Sequence, residues 1–70
     1  MTKFGFKKGL SHLPNKDLRA VRRQIMAGLK IKKRVEFHHR MLGLIEPTIS
    51  EAETITQIFA SHGIDDIWGG

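Results

Sequence analysis

The chain has 70 residues, no cysteine and a net charge of +5. That length makes one domain with a modest core, and the missing cysteine excludes disulfide staples, thiol chemistry and cysteine-based zinc sites. All 12 Lys and Arg fall in residues 1–40, where the only acids are Asp17 and Glu36. The other five acids fall in residues 41–70. A molecule with one strongly basic end suggests a polyanionic partner.

Residues 1–12 hold no sustained periodicity. Gly5 and Gly9 interrupt them, and Lys3, Lys7 and Lys8 are spread between. They read as a flexible basic arm, with a short strand or turn at Phe4–Phe6. This stretch lacks the apolar run of about 7–15 residues that a signal peptide needs, and no segment approaches the roughly 18 apolar residues of a membrane span. The expected location is the cytoplasm.

A domain is expected over residues 13–70. Its first helix is predicted over 15–27, with Asn15 as N-cap and Asp17 favouring the positive end of the helix dipole. Leu18, Val21, Ile25 and Leu29 fall on one face at helical spacing, and Gly28 is the expected stop. Ile31 sits in a turn. A second helix is predicted over 33–42: Phe37 and Met41 point inward, Val35, Glu36, His38 and His39 lie outside, and Arg34 and Arg40 flank the buried stripe. Gly43 ends it.

Pro47 discourages helix just before it, and Thr48-Ile-Ser-Glu51 matches a capping box. A third helix is predicted over 48–62, with Ile49, Ala52, Ile55, Ile58 and Phe59 as its apolar face. Gly63 and Ile64 make its stop, and Ile67 and Trp68 are expected to fold back on the core. The fold class is all-α, a three-helix helix-turn-helix domain behind a basic flexible N-terminal arm.

An amphipathic helix, a tight turn with an apolar residue and a short helix with a polar, basic outer side are the parts of a helix-turn-helix. The first helix braces the second, which enters the major groove. The run "LKIKKRVEFHHRMLGLIEPTISEAETITQIFASHGI" resembles small phage-repressor-like helix-turn-helix regulators, as found in Bacteroides-group genomes and mobile elements. The pattern is carried by Ile31, Phe37, Gly43, Pro47, Ile55, Phe59, Gly63 and Ile64, over a little more than half the chain. Lys30 stands where such regulators carry a turn glycine. The resemblance implies a double-stranded DNA-binding, repressor-like transcriptional regulator.

Arg34, Val35, Glu36, His38 and His39 are the candidates for base edges. Arg can bridge guanine acceptors, Glu can accept from cytosine and Val can touch the thymine methyl. Lys30, Lys32, Lys33, Arg40, Arg19, Arg22 and Arg23 are the candidates for phosphates, which set affinity and register. So small a unit makes a limited interface, so a homodimer on two half-sites is expected, with Ile58, Ile64, Ile67 and Trp68 as its face.

Adjacent His38 and His39 point about 100° apart on a helix and do not favour a shared metal ion. No catalytic triad spacing, phosphate loop or dinucleotide glycine pattern appears. The expectation is therefore no catalysis, no cofactor, no metal, no small-molecule substrate and no membrane. The alternatives are a protein-interaction module, or phage-encoded inhibitor, that uses the basic helix surface against an acidic partner, or RNA binding through the same patch.

Overall fold

The computed structural model describes residues 5–68. They form four helices: α1 (Lys7–Ser11), α2 (Asn15–Gly28), α3 (Arg34–Leu42) and α4 (Ile49–Ala60), with no strand among the described residues. The molecule is all-α. The core draws on every segment: Phe6, Leu10 and Leu13 around α1, Val21, Ile25 and Leu29 from α2, Ile31 from the turn, Phe37 from α3, Ile55 and Phe59 from α4, and Ile67 from the tail.

The first correction concerns the expected arm. Lys3 and Phe4 lie outside the described residues, but residues 5–12 do not behave as an arm. Phe6 is 1% exposed and packs edge-on against Phe37, with ring centroids 5.6 Å apart, and against Phe59 at 6.4 Å. Its N–H donates to the Met41 carbonyl at 3.0 Å, and the Gly9 N–H donates to the Ile67 carbonyl at 3.1 Å. The segment therefore joins the end of α3 to the C-terminal tail. Gly5 permits the approach, because a Cβ there would stand 2.8 Å from the Met41 carbonyl oxygen. Period-based reading misses α1 because five residues are too few to show a helical stripe.

The second correction concerns helix ends. Asn15 is the first helical residue of α2, and Pro14 is its N-cap, without a side-chain hydrogen bond. Gly28 is helical and is not the stop. A Cβ on it would come within 2.9 Å of Thr54 Cγ2 on α4, so its role is close helix–helix approach. Gln24 meets His62 at 3.3 Å, so α2 and α4 run alongside one another in antiparallel sense.

The stop of α2 is Lys30, at φ +57°. Its N–H donates to the Ala27 carbonyl, and the Ile31 N–H reaches back to Met26 at 2.8 Å. This paired pattern is the Schellman closure. The same pattern ends α3 at Gly43 (φ +83°) and follows α4 at Gly63 (φ +77°). Only the first closure places a side chain in the left-handed region, which costs an L-residue about 1–2 kcal/mol. Lys30→Gly is expected to gain about 0.5–1 kcal/mol after the extra chain entropy of glycine is counted. The check is a rise of a few degrees in thermal midpoint.

The start of α4 is well tied. The Thr48 hydroxyl accepts from the Glu51 N–H at 3.1 Å, and the Glu51 carboxylate accepts from the Thr48 N–H at 2.9 Å. That amide contact holds the Glu51 carboxyl below its ordinary value of 4.5. Arg40 pulls the same way, and partial burial opposes without prevailing. A depressed carboxyl contributes stability above its unfolded value and loses it as pH falls through the lowered one. Glu51→Gln, which can keep the Thr48 contact but loses the charge, is therefore expected to be less stable than the parent at pH 7. In urea melts, the gap to the parent should close toward pH 3.

Two apolar expectations are also corrected. Ile49, expected on the inner face of its helix, is 81% exposed, because it falls on the side of α4 shared with Glu53 and Thr56 and not on that of the buried Ile55 and Phe59. Ile67 folds back into the protein's own core, as expected, with Trp68 packed partly against it; being buried, Ile67 leaves the expected dimer face, of which Ile58 and Ile64 also pack partly against that core. The tail is held there by the Gly9 contact and by Asp66, whose carboxylate meets Lys8 Nζ at 3.2 Å.

Candidate nucleic-acid interface

The fold separates α2 into two faces. Val21 and Ile25 go inward, which leaves Arg19, Arg22, Arg23, Met26 and Ala27, spaced i, i+3, i+4, i+7 and i+8, along the opposite side. The Schellman closure then pulls Ile31 down into the core. The chain turns back, and α3 opens with Arg34 beside that same side of α2.

The result is a groove of about 630 Å³ lined by Arg19, Arg22, Arg23 and Arg34, with Met26, Ala27 and Ile31 completing the lining. A smaller hollow of about 230 Å³ continues it along α3, lined by Arg22, Arg34, Phe37, His38 and Met41. The Arg22 guanidinium sits 5.8 Å from the centroid of the Phe37 ring. A cation–π contact of this kind is worth about 0.5–1 kcal/mol at an exposed site, and it orients the arginine.

None of the four groove arginines forms an ion pair among the described residues. Several of the molecule's acids are engaged elsewhere. Glu36 and Glu51 hold Arg40, at 3.4 and 3.1 Å, and Asp66 faces Lys8 and His12. Like charges gathered in one concavity raise the local potential and concentrate anions there.

The candidates from sequence therefore divide. Arg19, Arg22, Arg23 and Arg34 meet in the groove. Lys30, Lys32 and Lys33 are exposed along the turn and the entry to α3. Val35, 56% exposed, and the exposed His38 and His39 lie on the outside of α3. Arg40 stands apart. Its side chain is 14% exposed and clamped between two carboxylates, so it braces α3 against the start of α4. Glu36 is drawn into the same brace.

The apolar lining from Met26, Ala27 and Ile31 went unassigned in the sequence. Its signal was present in the spacing of residues 19, 22, 23, 26 and 27. The contact of Arg22 with Phe37 had no such signal, since it depends on the angle between α2 and α3.

Among the described residues, no group of three or more His, Cys, Asp or Glu comes together to hold a metal ion, and no helix is long and apolar enough to cross a membrane. The chain matches no protein-family model, no curated protein and no solved structure.

Proposed function

We infer that the protein binds double-stranded DNA with the face built by α2 and α3, in the manner of a helix-turn-helix regulator of phage or mobile-element type. The observation that carries this reading is the convergence of four arginines without acidic partners beside a short helix whose outer side is exposed and polar. A helix is about 10–12 Å across with its side chains, a diameter that a major groove about 12 Å wide admits, and the nine residues of α3 run about 13 Å along it. In this arrangement the arginines of α2, with Lys30, Lys32 and Lys33, take phosphates. Arg34, Val35, His38 and His39 are offered to base edges. The acidic half, residues 41–70, turns away from the duplex, and the protein acts by binding alone.

The test follows selection of a preferred site from a random duplex library. Arg34→Ala is expected to weaken the selected site by about 1–3 kcal/mol and a scrambled duplex by much less. Lys33→Ala is expected to weaken both alike. Equal losses for Arg34→Ala on the two duplexes would remove its base-reading role. A second reading, a module that docks on another protein, is favoured by the exposure of Leu44 and Ile49. It predicts retention of a protein partner with no duplex binding at moderate salt.

A further inference from the structure

The groove between α2 and α3 has more chemistry than a duplex uses. A DNA rod presents its phosphates as an outward ridge and keeps its bases stacked inside, so phosphates would engage the guanidinium groups and leave Ala27 and the open part of Met26 wet, above the buried Ile31. A ligand with both an anionic chain and a flat apolar end would use both parts of the lining. We propose that this groove is a site for a nucleoside polyphosphate, which displaces DNA by occupying the arginines they share.

Three observations carry the assignment. The four arginines are unneutralised, and the lining contains no carboxylate to repel a phosphate chain. Guanidinium groups bind phosphate oxygens in bidentate pairs and also stack on planar rings, so one side-chain type serves both ends of a nucleotide. The groove, about 630 Å³, is open along one side, so a ligand would lie along it against the arginines without being enclosed. Arg34 belongs both to the groove and to the proposed base-reading set, so a bound nucleotide withdraws it from DNA. The regulatory consequence rests on the DNA reading; the ligand site itself does not.

The experiment is calorimetric titration of the DNA-free protein with ATP, with inorganic tripolyphosphate and with adenosine. The expected result is one ATP per chain with a dissociation constant below about 1 mM, tripolyphosphate at least about tenfold weaker, and no adenosine binding at the same concentrations. Ala27→Glu, an exposed helix position given a good helix former, is expected to abolish the ATP titration with helical content unchanged. Arg23→Gln is expected to weaken it several-fold, and it keeps the test decisive should the first variant fold poorly. Tripolyphosphate binding as tightly as ATP, no ATP binding at all, or an unchanged titration with folded Ala27→Glu would each overturn the assignment. Displacement of a labelled duplex by ATP tests the regulatory step. ATP binding without any duplex binding would sink the DNA reading and leave the site standing. Duplex binding without ATP binding would do the reverse.

Discussion

Phe6→Ala is expected to leave the protein largely unfolded at 37 °C. The ring is 1% exposed and lies between Phe37 and Phe59, so its removal opens a cavity at the meeting point of α1, α3 and α4. Truncating a buried phenylalanine costs about 3–5 kcal/mol, and a single core in a chain this short rarely supplies more than about that. Far-ultraviolet circular dichroism should show most of the helical signal lost. Phe6→Leu, which keeps much of the volume, should cost under about 1.5 kcal/mol and remain measurable by urea titration. A change of a few tenths of a kcal/mol for Phe6→Ala would mean that the N-terminal segment is not part of the core.

The second large effect concerns the groove. Arg22→Glu with Arg34→Glu removes two guanidinium groups and places two carboxylates among the remaining arginines. Both side chains belong to exposed residues, so the fold should lose little beyond the stacking of Arg22 on Phe37. Duplex affinity at about 100 mM salt should fall by at least about a hundredfold. The dependence of log affinity on log salt should flatten by about 1, for the one phosphate that Arg22 no longer neutralises, while the loss of Arg34 falls on the preferred site. Arg40→Gln provides the comparison. It removes one positive charge from the same helix, but that charge is already held by Glu36 and Glu51. It is expected to lower thermal stability and to change duplex affinity less than about threefold. If Arg40→Gln weakened binding as much as a groove substitution, total charge and not the groove would govern association.

Much of this architecture was legible in the residues. The face of α2 is readable from Val21 and Ile25, the end of α3 from Gly43 and the start of α4 from Thr48 and Glu51, because each depends on a local rule of spacing or capping. What stayed hidden depends on tertiary contact. Phe6 looks like part of a basic tail until the Met41 carbonyl and the Phe37 and Phe59 rings are known to meet it. Lys30 gives no local hint of a left-handed backbone; only the buried Ile31 beyond it forces the turn. Gly28 invites reading as a stop, whereas the nearness of Thr54 explains it as a crossing point. Arg40 illustrates the same limit at the candidate site. In the sequence it is one more cation among twelve, and only the approach of Glu51 across the loop makes it a brace.

The most direct test of DNA binding by the α2–α3 face is fluorescence anisotropy of a labelled duplex, titrated with the protein at about 50 and 200 mM salt. Neutralising six or more phosphates predicts a loss of affinity of about a thousandfold or more between the two conditions, with Arg22→Glu/Arg34→Glu showing a much smaller change from an already weak start. Absence of binding at the lower salt, with the protein folded, would contradict the account.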